Sequence, residues 1–218
     1  MFKTFKNAFK IPELRSKILF TLFIIILYRI GSVIPVPFTN VGELGAAYSQ
    51  TGVLTYLSML SGSAFAQGTL FALGVSPYIT AQIVIQLLTI AIPALERLAQ
   101  NGEDGRKKIN KITRYVTVAL SIITGIGYYL IMENQYGLVK KGYDNAFGII
   151  VIIACYVAGA SIVMWLGEKI DEQGIGNGIS MLLFAGIIAR GPSAVIGLFD
   201  YMKTGEAKNI ILVIAILV

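Results

Sequence analysis

Histidine is absent from this 218-residue sequence, and there is only one cysteine, Cys155. Without imidazole the chain cannot form Ser-His-Asp or Cys-His nucleophile systems or imidazole metal sites. A single thiol excludes disulfides within the chain and thiolate metal clusters. Cys155 lies in the middle of an apolar run, where a small packing role is its simplest interpretation.

Charge is also scarce. Charged residues make up 14% and hydrophobic residues 56% of the sequence, whereas soluble domains have about 25% charged residues. Five apolar runs are close to bilayer length, and a sixth begins at Asn209 and stops at Val218. The five runs are 18–36, 75–92, 115–132, 147–166 and 179–199. We therefore expect an all-α polytopic membrane protein with five transmembrane helices and the start of a sixth, and we expect the sequence to be part of a longer protein.

The first 17 residues are basic and amphipathic, and a full-length apolar run follows them without a small-residue cleavage site. This pattern indicates an anchor on the inner face followed by a first span, and not a removed signal peptide. We expect residues 1–17 to be a cytoplasmic segment, 18–199 to be the five-helix unit, and 200–218 to be an outer loop with the start of the sixth helix.

Positive charges predict the orientation, because Lys and Arg prefer cytoplasmic loops. Five lie in the N-terminal tail, six lie in residues 94–114, and Lys169 follows the fourth span, whereas only four lie on the opposite side. The N-terminus is therefore expected inside. Two further arginines fall within spans: Arg29 is near enough to the outer end to reach water, and Arg190 precedes Gly191-Pro192 and could close the fifth helix.

The longest uncharged stretch runs for 52 residues between Glu43 and Glu96. Since the first span ends outside and the basic residues 94–114 are inside, this stretch must cross an odd number of times. Three crossings need about 60 residues, so there is one, supplied by 75–92. About 30 uncharged residues remain on the outer side.

Part of this remainder, residues 56–74, is too apolar for an exposed loop and is too interrupted by glycine and serine for a span. Ser76-Pro77 then marks the start of a new helix. Non-helical backbone tolerates membrane depth only where protein or a water-filled cavity surrounds it. We expect a short re-entrant helix inside the protein. The alternative is an interfacial helix on the outer surface.

The second span carries Ile79 and Ile83 on one helix face, beside a polar stripe of Gln82 and Gln86. Amides within a span usually face protein or water, so this helix is expected to border a cavity. Plain packing or lipid contact remains the simpler interpretation of the isoleucines alone, and hydrogen bonding between helices is an equal alternative for the glutamines.

Two inside loops follow. The first, residues 92–115, lacks a phosphate-loop motif. Its cations either set orientation and contact anionic lipid or dock a cytosolic partner or RNA. These cations are Arg106, Lys107, Lys108 and Lys111.

The second inside loop, residues 165–180, has glycines at 174, 176 and 178 that do not form a dinucleotide motif. A tight turn into a helix capped by Asn177 explains them better. In that helix Leu183 and Ile187 share a face.

Four strings, IPVP, FALGVSPYITAQIVIQLLT, NGEDGRKKINKITRY and WLGEKIDEQGIGNGISMLLFAGIIAR, closely resemble the SecY family, the channel subunits of the bacterial protein translocase. They occur in the family's order from the first span to the fifth. The resemblance implies the N-terminal half of a ten-helix channel built from two inverted halves, with an hourglass pore, a plug helix and a lateral gate to lipid.

The resemblance also implies roles for particular residues. The apolar pore ring would include Ile79, Ile83, Leu183 and Ile187, and the second and third spans would form one side of the lateral gate. The plug would fall within about 59–73. Its residues are Met59, Leu60, Ser61, Gly62, Ser63, Ala64, Phe65, Ala66, Gln67, Gly68, Thr69, Leu70 and Phe71.

The implied function is passive passage of unfolded secretory proteins across the bacterial cytoplasmic membrane and of membrane proteins laterally into it. The implied partners are the SecE and SecG subunits, the SecA motor ATPase, the ribosome, the translocating polypeptide and anionic lipid; no cofactor, metal, DNA or enzymatic activity is expected. One departure is Phe38, which stands where the family commonly has glycine and puts the outer-loop geometry in question.

Two other classes remain. A small-solute secondary transporter is also built from inverted repeats and broken helices, but it should place a charged or strongly polar site on its broken helix. Residues 56–92 offer only hydroxyls and amides. A membrane enzyme is disfavoured by the missing histidine and by the lack of an acidic pair within a span.

Overall fold

The computed structural model describes residues 11–39, 61, 64–65, 67–134, 137, 139–140, 142, 145–189, 191–192 and 195–196. Six helices account for most of these residues, and the β-structure within them is limited to two isolated bridges. The helices are α1 Pro12–Gly31, α2 Ser76–Ala91, α3 Pro93–Gln100, α4 Gly102–Asn134, α5 Ala146–Gln173 and α6 Gly178–Ile188.

Helix α1 begins and ends earlier than the first apolar run. Pro12 lies in its first turn, where a missing N–H is tolerated. The boundary expected between residues 17 and 18 falls inside this helix, and the division of the chain at that point stays a prediction. After Gly31 the chain turns and becomes extended, because Pro35 and Pro37 cannot continue a helix.

Helix α2 agrees closely with the span expected at 75–92. Ile92 is extended, Pro93 opens α3, and the two helices differ in direction by 102°. The inside loop expected at 94–114 was wrong, because only Asn101 separates α3 from α4. Glu, Lys, Arg and Gln are good helix formers, so a charged stretch is not necessarily a loop.

Helices α3 and α4 meet closely at Gly105. A Cβ added there would lie 1.7 Å from the Leu98 carbonyl oxygen. Only glycine permits this approach, which fixes the bend between the two helices.

By length and composition, two described helices, α4 and α5, could each cross a membrane, and the bent pair α2 and α3 could supply a third crossing. Helix α1 has 20 residues but carries four charged ones. Helix α6 is apolar but has 11 residues, and Arg190 lies outside the described residues. The count of five spans stays a prediction.

The turn between α5 and α6 is shorter than expected, because α5 continues to Gln173 and leaves only residues 174–177 outside the helices. The predicted cap is confirmed: the Asn177 side chain accepts a hydrogen bond from the Ser180 amide at 3.0 Å. Asp171 Oδ1 accepts a second bond, from the Gly178 amide at 2.7 Å. The Ile175 amide donates to Thr21 Oγ1 at 3.0 Å, which attaches this turn to α1.

Two apolar clusters hold the helices together. One contains Tyr128 and Met132 of α4 with Ile152 and Tyr156 of α5. The other contains Ile24 and Tyr28 of α1 with residues of α2, α5 and α6. The chain between α1 and α2 contributes to both clusters: Phe65, Ala72 and Leu73 pack in the first, and Phe71 and Val75 pack in the second.

Replacing Asn177 by Ala removes the side-chain acceptor that caps α6. We expect a loss of about 1 kcal/mol in the free energy of unfolding, measured by chemical denaturation of the purified protein in detergent. Asn177→Asp keeps the acceptor and should restore most of the loss. Equal stability of Asn177→Ala and the parent would contradict a stabilising cap.

Candidate functional site

The chain ahead of α2 enters the interior of the protein. We call Ser61, Ala64, Phe65 and residues 67–75 the buried segment. Ala64 and Ala72 are each 1% exposed. Gln67 is exposed, Leu70 is half-buried, and the other residues of the segment are buried. The expected enclosure by protein is confirmed for these residues.

The helical form expected for this segment is wrong for the part that the structure describes, where the backbone forms successive turns. Gly68 and Gly74 both have φ of 55°, a left-handed conformation that interrupts any helix. Met59, Leu60, Gly62, Ser63 and Ala66 lie outside the described residues.

The main chain of the buried segment pairs with the extended residues that follow α1. The Leu70 amide donates to the Ile34 carbonyl oxygen at 2.8 Å, and the Val36 amide donates to the Gly68 carbonyl oxygen at 3.2 Å. Pro35 and Thr69 form an antiparallel bridge between these bonds. The Leu70 amide and the Gly68 carbonyl, two backbone polar groups of a non-helical segment, thereby find partners inside the protein.

The extended chain that follows α1 continues to Thr39, the last described residue of this stretch. Thr39 bridges Val139, and the Lys140 amide donates to the Phe38 carbonyl oxygen at 2.9 Å. Phe38 has a φ of 67°, the one positive value at a non-glycine residue in the described ranges. The loop therefore keeps a backbone conformation that favours glycine, and Phe38 adopts it while packing against the first cluster.

Two glycines bring the buried segment against α1 and α5. A Cβ at Gly31 would lie 2.0 Å from the Phe71 ring, which stacks on the Tyr28 ring with centroids 5.7 Å apart. A Cβ at Gly159 would lie 1.9 Å from the Leu70 carbonyl oxygen. Small residues at these positions let the helices approach the backbone of the segment.

Helix α4 contacts the earlier part of the segment through Tyr128. Its ring lies 4.6 Å from the Phe65 ring, centroid to centroid, and its hydroxyl donates to the Phe65 carbonyl oxygen. A cavity of about 290 Å³ lies beside this contact. It is lined by residues of the segment, of the first turn of α2, and of α4 including Thr124, Gly127 and Ile131.

The four expected ring residues occupy two helices that both pack on α5. Ile79 and Leu183 are half-buried against the second cluster. Ile83 and Ile187, one turn further along, are 52% and 55% exposed. On each helix the structure thus leaves one of the two expected ring residues exposed, and Gln82 and Gln86 are exposed beside Ile83.

The four expected cations of the inside region are all exposed on the first turns of α4. Lys107 Nζ lies 4.0 Å from Asp104, a loose pair at the surface. Arg114 differs, because its Nε donates to Glu168 of α5 at 2.8 Å and joins the two helices there. Arg106, Lys107, Lys108 and Lys111 thus form a surface that a polyanion or acidic protein could contact.

No group of three or more His, Cys, Asp or Glu side chains in the described ranges could hold a metal ion. Among the described residues, two charged side chains bury one atom each without a hydrogen-bond partner, Arg29 Nη2 and Glu133 Oε2. The Arg29 guanidinium carbon lies 5.5 Å from the centroid of the Tyr28 ring, so the expected route of Arg29 to water is only partial.

Sequence reasoning missed the residues that hold the buried segment in place, namely Tyr28, Gly31, Tyr128 and Gly159. A signal was available for the glycines, since glycine within an apolar helix often marks a close approach. No local pattern identified the two tyrosines, because their partners are 43 and 63 residues away in the chain.

The family model described as SecY matches residues 69–218. Curated relatives include the protein translocase subunit SecY of Streptomyces coelicolor, which is 45% identical over 96% of this chain and 50% of the relative. The protein translocase subunit SecY 1 of Lactobacillus kefiranofaciens is 46% identical over 96% of this chain and 48% of the relative. The chain spans about half the length of the curated relatives it matches.

Solved structures with a similar fold include Sec61 in the canine ribosome-channel complex, with a TM-score of 0.54 and 22% identity over 83% of this chain and 40% of that chain. A SecY structure whose plug domain is described as stabilising the closed state of the translocation channel has a TM-score of 0.53 and 18% identity. It covers 92% of this chain and 41% of that chain.

Replacing Gly159 by Ala drives a methyl group into the Leu70 carbonyl oxygen, which is backbone and cannot rotate away. We expect a loss of about 1 to 3 kcal/mol in stability, seen as a lower Tm in detergent. Gly127→Ala on α4 is the matched control, because a Cβ there meets nothing within 4 Å. Equal Tm values for the two variants would contradict the packing of α5 on the segment.

Proposed function

Because the chain belongs to the SecY family, we propose that it is the N-terminal half of a protein-conducting channel subunit. The whole subunit passes unfolded secretory proteins across the bacterial cytoplasmic membrane and releases membrane proteins laterally into lipid. The buried segment, together with the residues back to Met59 that lie outside the described ranges, acts as the plug within about 59–73. The observation that carries the proposal is an apolar, non-helical segment enclosed by helices and paired through its main chain.

The chemistry of the segment suits a removable closure. From Leu44 to Leu95 no side chain carries a charge, so the segment can pack in an apolar funnel without an uncompensated ion. The hydrogen bonds that join it to the extended residues after α1 and to Tyr128 involve neutral groups, whose net contribution is only about 1 kcal/mol each. Such contacts hold a resting position and still permit release.

Ile79, Ile83, Leu183 and Ile187 are the ring residues that this half supplies. Branched apolar side chains offer no hydrogen-bonding groups, so they contact a passing chain without preferring any sequence, and they oppose ions by denying them hydration. The exposure of Ile83 and Ile187 supports this role, since both are open to contact from outside this half. The second half of the subunit would supply the rest of the ring and the other wall of the lateral gate.

The remaining parts of the proposal concern orientation and partners. Five spans, a cytoplasmic N-terminus and ten helices in two inverted halves follow from the family and from the distribution of Lys and Arg. SecE and SecG would complete the channel. SecA or the ribosome would contact the inside surface, where Arg106, Lys107, Lys108 and Lys111 also face anionic lipid. The channel is passive and catalyses no reaction.

Cysteines placed singly at the four ring positions should crosslink to a secretory chain that is stalled in the complete channel. Ile150→Cys is the control, because Ile150 is 66% exposed but lies on α5, which carries no ring residue. Crosslinks at the ring positions and not at the control support the pore. Crosslinks at none of the four would end the ring assignment.

Replacing Lys107 and Lys108 together by Glu reverses the charge of the inside surface. We expect export driven by the cytosolic motor to fall several-fold, because the new glutamates would repel acidic groups of the motor that the lysines attract. Lys140→Glu, an exposed lysine near the carboxyl end of α4, is the control. Unchanged export by the double variant would leave these lysines with only a role in orientation.

A further inference from the structure

The dipeptide Asn-Gly occurs twice in this chain, at Asn101-Gly102 between α3 and α4 and at Asn177-Gly178 at the start of α6. In such a pair the backbone nitrogen of the glycine can attack the side-chain carbonyl carbon of the asparagine, because glycine has no side chain to hinder the approach. Both copies lie within the described residues, and the structure places them in opposite surroundings.

The copy at Asn177 is held at both of its reacting groups. The Gly178 amide, whose nitrogen would attack, donates to Asp171 Oδ1 at 2.7 Å. The Asn177 side-chain oxygen accepts from the Ser180 amide at 3.0 Å. A Cβ at Gly178 would lie 2.0 Å from the Gly167 carbonyl oxygen, so this peptide has little room to rotate. Reaction at Asn177 therefore requires α6 to lose its cap and to move away from α5.

The copy at Asn101 is the connection between α3 and α4. Asn101 and Gly102 are both exposed, and Asn101 has a φ of −76° and a ψ of 23°. Gly102 has a φ of 65°, and a Cβ there would meet nothing within 4 Å. Gly102 is also the first residue of α4, and the first amides of a helix have no acceptor within it. The peptide between the two residues can therefore rotate into open space.

We propose that Asn101 is a site of spontaneous deamidation and that the fold protects Asn177 from the same reaction. The Gly102 nitrogen loses its proton to solvent and forms a bond with Asn101 Cγ, and the side-chain nitrogen takes a proton from water and leaves as ammonia. Water then opens the resulting five-membered imide at either carbonyl and leaves aspartate or isoaspartate at position 101. Water is the one co-reactant, and the proposal does not depend on the proposed function.

The modification would change the amino end of α4. Either product adds one negative charge, which the helix dipole favours at this end. The charge lies within two helical turns of Arg106 and Lys107 and lowers the positive potential of the inside surface. Aspartate caps helices as well as asparagine does, so this product should keep the bend. Isoaspartate lengthens the backbone by one methylene beside the close contact of Gly105 with Leu98, so it should disturb the bend.

The test compares the two asparagines within one molecule. The full-length channel subunit, assembled in membrane vesicles, is incubated at neutral and at mildly alkaline pH, and the peptides that contain each asparagine are quantified by mass spectrometry. Deamidation at Asn101 should be at least about tenfold faster than at Asn177, because two hydrogen bonds must break before Asn177 can react. The rate at Asn101 should rise with pH, because the Gly102 nitrogen reacts after it loses its proton.

The unfolded chain is the control for the effect of local sequence. In denaturant both asparagines are followed by glycine and neither is held by the fold, so their rates should become similar. Equal rates in the folded channel, or faster reaction at Asn177, would overturn the proposal. An Asn101 that stays intact in the folded channel while it reacts in the unfolded chain would also overturn it.

Two variants separate the site from its protection. Asp171→Ala removes the acceptor of the Gly178 amide, so deamidation at Asn177 should rise several-fold while the rate at Asn101 stays the same. Asn101→Gln should suppress the reaction at position 101, because attack on the longer side chain would have to close a six-membered ring. An unchanged rate at Asn177 in Asp171→Ala would contradict protection by this hydrogen bond.

Discussion

Backbone hydrogen bonds between residues 34–36 and 68–70 are the interaction on which the rest of the site depends. A non-helical chain cannot lie at membrane depth unless its N–H and C=O groups find partners within the protein. The turns of the buried segment satisfy some of these groups locally, and the extended residues after α1 satisfy others. Pro35 and Pro37 keep those residues out of a helix, so the early end of α1 and the placement of the segment have a common cause.

Small residues on the neighbouring helices then decide how deeply the segment lies. Gly31 admits the Phe71 ring and Gly159 admits the Leu70 backbone, whereas Gly127 leaves a cavity. The same residue type therefore permits contact at two positions and leaves space at a third.

The sequence predicted the features that depend on length, charge or local spacing. The helix expected at 75–92 was found, and the described residues before it are enclosed by protein as expected. The Asn177 cap was found because its partner is three residues away. The helix expected there was wrong for the described residues, since Gly68 and Gly74 interrupt it with positive φ. The loop expected at 94–114 was wrong because Glu, Lys, Arg and Gln form helices well in spite of their polarity. Tyr28 and Tyr128 could not be found, because their partners are brought to them only by the tertiary fold.

Hydrogen exchange in the resting, full-length channel tests most directly whether the segment is enclosed and paired as described. Val36 and Leu70 belong to the two paired stretches of chain. The Val36 amide donates to the Gly68 carbonyl oxygen, and the Leu70 amide donates to the Ile34 carbonyl oxygen. Both should exchange slowly and at similar rates, because the same opening exposes them. Rapid exchange at Leu70 with slow exchange at the amides of α5 would contradict the pairing and would place the segment outside the helices.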